Sequence, residues 1–376
     1  MGIAEGYYFH DRERLLFQNR VCCCSVRFVE LVDYCLKSVT FWVNRESCFQ
    51  EGKTFFSEGK RVDSRKYYGK TMENKKRIVL YAVCLLLLSF TSVFAAGSVP
   101  LVDTGLDECY DAAGSAIDCP KSRQPFYGQD AQYRTTPPAF LDNGDQTVTD
   151  QNSGLMWFES ENGTRRSWEE AAVYCSELDF AGQTDWQLPS KSELESIVDY
   201  GRSYPAIRQP FSCQSSFYWS STPHLPNPPY AWGVYCLDGA DHWLHKSNEY
   251  YVRCVRAADK PQPVQKSALQ WQKNSIKSLY TWQGALAYCE NLSLDSQQDW
   301  RLPNIRELKS LLDYNRYYPA ADPALSTLNA VYWSSTTAAT EEHSRAWAVF
   351  FGNGDDLWKE KAENYNVRCV RGGLVD

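Results

Sequence analysis

The pattern of apolar and polar residues predicts a helix that begins at Ser167. Ser167 and Glu170 have the spacing of a capping box, in which each side chain accepts a hydrogen bond from the other residue's backbone amide. The apolar residues that follow recur at helical spacing and share one face: Trp168, Ala171, Cys175 and Leu178. We expect this face to be buried.

A second helix and several strands are predicted to follow. Ser190 and Glu193 form another capping box, ahead of the apolar residues Leu194, Ile197 and Val198. Short runs rich in aromatic and β-branched residues then favour strands at three places: 217–219, 231–235 and 250–255.

A hairpin is predicted before the first helix. The pair Asn143-Gly144 is typical of a tight turn, and it lies between the short runs 140–141 and 147–149, with 154–157 following. Two helices that precede a small antiparallel sheet form an α+β pattern.

The same order of motifs occurs twice along the chain. The first copy contains Trp168, Cys175, DWQLP at 185–189, YWSST at 218–222 and VRCVR at 252–256. The second copy contains Trp282, Cys289, DWRLP at 299–303, YWSST at 332–336 and VRCVR at 367–371. The offset is 114 residues as far as Trp219 and Trp333, and 115 residues from Trp232 and Trp347 onward.

Both predicted helices recur in the second copy. Thr281 is the cap of the first one, and its apolar stripe consists of Trp282, Ala285, Cys289 and Leu292. Asn304 and Glu307 form the capping box of the second one, whose apolar residues are Leu308, Leu311 and Leu312.

This period is far longer than the roughly 20–50 residues of solenoid units, so each copy is expected to own a complete hydrophobic core. We place the two domains at 140–257 and 266–376, joined by a linker at 258–265. The hairpin at 142–150 has no counterpart in the second copy.

The segment before residue 96 has the features of a secretory signal peptide. Basic residues after Met72 precede an apolar run at 78–90, and small residues follow at a cleavage point that we place after Ala95. Residues 1–71 are then expected to be upstream translation from a start codon assigned too early, and 96–139 to be an N-terminal linker. The alternative is a signal anchor, but the apolar run is shorter than the roughly 20 residues that a spanning helix needs.

Charge supports this division. Residues 1–96 have a net charge of +5, whereas 97–376 have a net charge of −12. An acidic exported part argues against nucleic acid or an anionic membrane as the partner, and it lowers the expected affinity for polyanions.

The cysteines of the exported part are even in number and follow the repeat. Symmetry predicts the pairs Cys175–Cys254, Cys289–Cys369, Cys213–Cys236 and Cys109–Cys119. A metal site is the alternative, but no Cys-x-x-Cys pair occurs after residue 96.

Together these motifs resemble a family of bacterial exported domains of unknown function, typified by the C-terminal domain of the Legionella collagen-like adhesin. The resemblance rests on the segment 142–150, GLMW at 154–157 and the DWQLP, YWSST and VRCVR motifs, and it covers roughly 140–371. It implies a C-type-lectin-like fold in which a bridge from the first helix to the last strand closes each domain.

The resemblance also implies a ligand face. The loop after YWSST differs between the copies, and in lectin-like folds this loop and the next hairpin lie on that face. An Asp beside an exposed Trp suits a sugar, whose apolar side stacks on the ring while its hydroxyls reach the carboxylate. The alternative is a purely structural role, in which a turn is followed by a Trp of the hydrophobic core. The candidate ligand-binding residues are Asn227, Tyr230, Asp241, Trp243, Lys246, Arg345, Asp356, Trp358 and Lys361.

No cofactor is predicted. Calcium-dependent sugar binding needs several carboxylate and amide oxygens, and the loop 225–227 contains no acid. Asp142, Asp145 and Asp150 are weak calcium candidates, because their spacing misses the EF-hand pattern and Asn143-Gly144 already explains a turn.

Enzyme activity is not expected. The region 300–308 and the VRCVR motif are similar to formylglycine-generating oxidases, but those enzymes need reactive thiols, and Cys254 and Cys369 are expected in disulfides. His242 and His245 have a spacing that could bind a metal, although a pair in a polar turn is more often solvated. The histidines after residue 96 have no repeat equivalents: His224, His242, His245 and His343.

We therefore expect an exported, non-enzymatic tandem of binding modules in the periplasm, at the cell surface or secreted. The resemblance implies a surface glycan or glycosaminoglycan as the ligand. The second hypothesis is an envelope protein, contacted through Leu225, Pro228 and Tyr230. No membrane span is expected after signal cleavage, and a homo-oligomer is left open.

Overall fold

The structure is a computed structural model that describes residues 100–374, except for 160–162, 258–268, 275 and 341. The predicted signal peptide at 72–95, the segment before it and the predicted linker at 258–265 lie outside the described residues. Both copies of the repeat belong to one compact unit, Phe94–Asp376. Below, residues 100–139 are the N-terminal segment, 140–257 are repeat 1 and 266–374 are repeat 2.

The N-terminal segment forms a small hairpin and a turn. Strands β1 (Cys109–Tyr110) and β2 (Ala116–Ile117) pair antiparallel, and a 3₁₀ turn follows at Asp130–Gln132.

Repeat 1 contains two short helices and two antiparallel sheets. The helices are α1 (Trp168–Ser176) and α2 (Lys191–Ser196). One sheet has the order β3-β4-β5-β9, with strands Phe140–Asp142, Thr147–Asp150, Leu155–Phe158 and Val255–Ala257. The other has the order β6-β7-β8, with strands Phe217–Pro223, Tyr230–Tyr235 and Asp241–His245.

Repeat 2 has the same architecture without the extra hairpin. Its helices are α3 (Trp282–Glu290) and α4 (Ile305–Lys309). Strand β10 (Gln270–Trp271) pairs with β14 (Val370–Arg371), and the larger sheet is β11 (Val331–Thr337), β12 (Arg345–Phe350) and β13 (Asp355–Glu360). The protein is therefore α+β, with few helices and small antiparallel sheets.

The caps predicted for the helices are present. Ser167, Ser190 and Asn304 each accept a hydrogen bond from the backbone amide three residues on, and a glutamate completes each capping box. Thr281 accepts from the Gly284 amide. It has no capping box, because glycine has no side chain to reach back.

One predicted strand is displaced. The sequence predicts a strand at 250–255, but β9 begins at Val255 and pairs with β5. Tyr250 and Tyr251 form only isolated bridges, to Arg166 and Tyr218. The apolar run therefore connects the two sheets of repeat 1 and does not extend either one.

The four disulfide bonds are those that the repeat symmetry predicts: Cys109–Cys119, Cys175–Cys254, Cys213–Cys236 and Cys289–Cys369. The two long bridges join a helix to the residue directly before the last strand in each repeat. Four disulfides within the described part of the chain indicate an oxidising, exported environment. Among the described residues, no helix has the length and the apolar composition to span a membrane.

The hydrophobic core has three parts. One cluster lies within repeat 1 around Trp219 and the Cys175–Cys254 bridge, and a second lies within repeat 2 around Trp333. The third contains residues of both repeats, including Leu194 and Trp347. The expectation that each repeat owns a complete core therefore needs correction, because this third cluster is shared.

Candidate functional site

The two repeats meet face to face in a two-fold arrangement. The Asp241 amide donates to Asp356 Oδ1 over 2.9 Å, and the Asp356 amide donates to Asp241 Oδ1 over 3.2 Å. These two residues occupy equivalent positions in the repeats. Contacts in which residue i of one unit meets residue j of the other, and j meets i, are the signature of an isologous interface.

Aromatic contacts have the same reciprocity. Tyr200 of repeat 1 packs edge-on against Trp347 of repeat 2, with 5.4 Å between ring centres. Tyr314 and Trp232 are the equivalents in the other repeat, and their ring centres are 6.0 Å apart. The tandem thus packs as a homodimer does, within one chain.

A buried cluster of charges lies on this interface. Asp241 Oδ2 is 2.6 Å from Lys191 Nζ and 3.1 Å from Lys309 Nζ. Lys309 also contacts Asp356, and its Nζ is 2.9 Å from Glu195 Oε1. Three carboxyl groups and two ammonium groups therefore share a buried site.

Burial and the lysines set the protonation of this cluster. Burial opposes the ionisation of Asp241, but the ammonium groups of Lys191 and Lys309 outweigh it and lower the pKa of Asp241 to about 2. Burial and the neighbouring Asp241 charge raise the pKa of Asp356 well above its usual value. Burial likewise raises the pKa of Glu195. One proton shared among the acids would make the cluster neutral.

The carboxylates of this cluster are close enough to hold a metal ion. Ligand atoms of Glu195, Asp241 and Asp356 lie within 4.8 Å of one another. The ammonium groups of Lys191 and Lys309 already contact these oxygens. Because each lysine supplies a positive charge where a cation would sit, the cluster is chemically a salt-bridge network.

The weak calcium candidates cap turns. Asp142 Oδ1 accepts from the Gly144 amide, and Asp145 Oδ1 accepts from the Thr147 amide. Asp150 accepts from Asn152 and Ser153. These carboxylates stabilise the predicted hairpin and the turn that follows it.

The structure separates the residues expected to form one ligand site. Asp241 and Asp356 are buried between the repeats and do not lie beside an exposed ring. Trp358 is half-buried and packs against the shared core. The expected pairing of a carboxylate with an exposed Trp is therefore absent at these residues.

Of the equivalent residues Trp243 and Trp358, only Trp243 is well exposed, at 44%. Its ring stacks on His224, with 5.4 Å between ring centres, and meets the Tyr230 ring edge-on at 4.9 Å. Tyr230 in turn meets the His245 ring at 5.2 Å. We call Trp243, Tyr230 and His245 the aromatic platform.

Repeat 2 has charges in place of this platform. Arg345 and Glu360 are the equivalents of Tyr230 and His245, and the Arg345 Nε lies 2.6 Å from Glu360 Oε1. Sequence reasoning named Tyr230 and Arg345 from the variable loop, and the structure assigns them to equivalent places on the two faces. Asn227 lies in the exposed turn of that loop, where its backbone carbonyl accepts from the Tyr230 amide.

The two candidate lysines differ in surroundings. Lys361 is 2% exposed, lies over the Trp282 ring and donates to the Asp111 carbonyl of the N-terminal segment. Burial lowers the pKa of Lys361 to about 7. Lys246 is half-buried over the Trp168 ring.

Sequence reasoning missed the charges of the second helices. Glu195 and Lys309 occupy equivalent positions in α2 and α4, yet they carry opposite charges and contact each other. That inversion was visible in the aligned repeats. Lys191 is equivalent to Ile305, so no pair of opposite charges marked this position in the aligned repeats.

Comparison with known protein families agrees with the repeat. A family model described as the Lcl C-terminal domain matches residues 146–256 and again residues 265–371, which together make up more than half of the chain. No curated protein matches the chain. The chain therefore belongs to the Lcl C-terminal domain family and carries two tandem copies of that domain.

Proposed function

We propose that the protein is an exported, non-enzymatic binding module whose ligand is a surface glycan. Membership of the Lcl C-terminal domain family supports an adhesin-related module. The observation that carries the ligand class is the exposed ring of Trp243, supported from below by His224 and from the side by Tyr230. Large aromatic rings are usually buried, so an exposed one that is held by two neighbouring rings suits ligand binding.

The aromatic platform suits a sugar ring. A pyranose has an apolar side that stacks on an indole, and Tyr230 and His245 offer polar atoms at the edge for hydroxyl groups. Sulfated glycosaminoglycans are the less favoured class of ligand, because they are polyanions and the exported residues have a net charge of −12. We assign the platform to repeat 1 only, since Arg345 and Glu360 replace it in repeat 2.

A C-type-lectin-like fold is the architecture that we propose for each repeat. Its support is the small antiparallel sheet beside two helices, closed by the Cys175–Cys254 bridge in repeat 1 and the Cys289–Cys369 bridge in repeat 2. These bridges also leave Cys254 and Cys369 without the free thiol that an oxidase would use. We propose the cell surface as the location, since a glycan-binding adhesin acts there.

A glycan and glycosaminoglycan array of the intact chain tests this function, with and without calcium. We expect binding to a neutral glycan that falls about fivefold in Trp243→Ala, because ring stacking contributes on the order of 1 kcal/mol. Tyr204→Ala is the matched control, since Tyr204 is an exposed aromatic residue away from the platform. Binding that is equal in both variants, or absent from every glycan, would refute the proposal.

A further inference from the structure

The ends of two equivalent strands differ in burial. The last residues of β11 are all buried, whereas Ser221 and Pro223 at the end of β6 are exposed and Thr222 is half-buried. Both strands read YWSST up to this point. The difference therefore comes from what covers the strand, and the cover on β11 is the N-terminal segment.

Two residues of repeat 2 hold that segment, and a third lies beneath one of them. Thr336 Oγ1 donates to Asp130 Oδ2 over 2.6 Å, and Lys361 Nζ donates to the Asp111 carbonyl over 3.0 Å. Trp282 lies under the Lys361 ammonium group, 4.3 Å from it, and is fully buried. The covered face of repeat 2 thus offers a hydroxyl donor, an ammonium donor and an aromatic ring.

Repeat 1 has the same three groups without the cover. Thr222, Lys246 and Trp168 are the equivalents, and Lys246 Nζ lies 4.1 Å from the centre of the Trp168 ring. Lys246 and Trp168 are both half-buried. Within the described part of the chain, neither the Thr222 hydroxyl nor the Lys246 ammonium group donates to a protein acceptor. We call these three residues the open face.

The route of the N-terminal segment over the two repeats has an equivalent under the two-fold relation, and this equivalent route leads to the open face. The N-terminal segment first contacts repeat 1, where the Thr104 carbonyl accepts from the Tyr200 amide over 2.9 Å, and then crosses to repeat 2. A polypeptide that followed the equivalent route on the other side of the two-fold axis would first contact the loop of repeat 2 that is equivalent to the Tyr200 loop. There Arg316, Tyr317 and Tyr318 border a cleft of about 340 Å³. By the two-fold relation, we infer that the equivalent path ends at the open face of repeat 1.

We propose that the open face of repeat 1 binds an extended polypeptide segment of a partner protein, with the chemistry of the N-terminal segment. The bound segment places a carboxylate against Thr222 and a main-chain carbonyl against Lys246. It carries acidic residues, because the open face presents the Lys246 ammonium group. The part of the N-terminal segment at 102–111 has that character, with Asp103, Asp107, Glu108 and Asp111. This inference goes beyond the glycan site, which uses the aromatic platform.

A peptide with the sequence of residues 107–133, closed by its Cys109–Cys119 disulfide, is the probe. We expect it to bind the intact chain in isothermal titration, and to bind about tenfold more weakly to Lys246→Met and to Thr222→Val, because each change removes one donor. Thr222→Val also removes the acceptor of the Lys191 amide, so its unfolding midpoint is measured beside its affinity. Lys273→Met, an exposed lysine elsewhere, should leave the affinity unchanged. The chain's own segment stays on repeat 2, since its tether gives it a high effective concentration.

A variant of the peptide tests whether its Asp130 contacts Thr222. Asp130→Ala in the peptide should weaken binding to the unaltered chain, but should cause no further loss on Thr222→Val, because the two groups form one contact. Additive losses would overturn the proposal, as would the absence of peptide binding. Light scattering of the intact chain tests for a third outcome. A dimer that dissociates in Lys246→Met would show that a second copy of the chain occupies the open face, and this would overturn the assignment of a partner protein.

Discussion

Asp130 is the buried carboxyl that ties the N-terminal segment to repeat 2. Its Oδ2 accepts hydrogen bonds from Thr104 and Thr336. Burial outweighs these two hydrogen bonds and raises the pKa of Asp130 from 3.8 to about 7. The folded chain therefore binds a proton here that the unfolded chain has released at the same pH.

This raised pKa predicts a pH dependence of stability. The contribution of Asp130 is fully present below pH 3.8 and is lost as the pH rises toward about 7, because ionisation then costs more in the folded state. Asp130→Asn should remove that slope and stabilise the chain at pH 8 by a few kcal/mol, on the order that a shift of this size implies. Urea unfolding of both proteins between pH 4 and 8 measures it.

The comparison isolates Asp130 from other groups. Lys361, whose pKa is lowered to about 7, titrates in both proteins and cancels in the difference. An equal pH slope in the two proteins would show that Asp130 is ionised throughout.

At the scale of elements, short helices depend on their caps. Helix α4 has only five residues, and Asn304 Oδ1 accepts from the Glu307 amide over 2.9 Å at its start. Glu307 Oε2 accepts from the Asn304 amide and also from Arg301. The cap therefore connects α4 to the DWRLP motif as well as beginning the helix.

Asn304→Ala should destabilise the chain by about 1–2 kcal/mol, because it leaves the buried Glu307 amide without its acceptor. Asn315→Ala, an exposed asparagine in the following turn, is the control and should be close to neutral. Chemical denaturation measures both. Equal midpoints for the two variants would contradict the role assigned to this cap.

At the scale of the whole molecule, opposite charges at equivalent positions distinguish the two halves of the interface. Glu195 and Lys309 lie on either side of the two-fold relation, with Asp241 and Asp356 between them. Identical residues at this position would repel each other near a two-fold axis. The divergence of the repeats thus favours the pairing of repeat 1 with repeat 2 over the pairing of like repeats.

Lys309→Glu should destabilise the chain by roughly 3–5 kcal/mol, since it leaves buried acids without their ammonium partner. Adding Glu195→Lys should restore part of that loss, because the pair is then reversed across the interface. Lys277→Glu is the exposed control. Denaturant unfolding of the single and double variants checks the coupling, and simple additivity would contradict it.

Local residue patterns were sufficient for much of the fold. The caps at Ser167, Ser190 and Asn304 depend on residues three positions apart, so the sequence predicts them directly. The repeat predicted the two long disulfides, because Cys175 and Cys254 have their equivalents in Cys289 and Cys369, and the four remaining cysteines were paired by their position outside the repeat pattern. The strand predicted at 250–255 was displaced because strand pairing depends on distant partners.

The tertiary structure decided which faces are free. The sequence by itself determined the tandem repeat, its helices and its bridges, because short-range spacing and symmetry encode them. It assigned Asp241 and Trp243 to one exposed hairpin, yet the docking of the repeats buries Asp241 and leaves Trp243 at the surface. It also showed Trp168 and Trp282 as equals, yet only Trp282 is fully buried, beneath the lysine that holds the N-terminal segment. Burial is a property of what packs against a residue, and only the assembled chain specifies it.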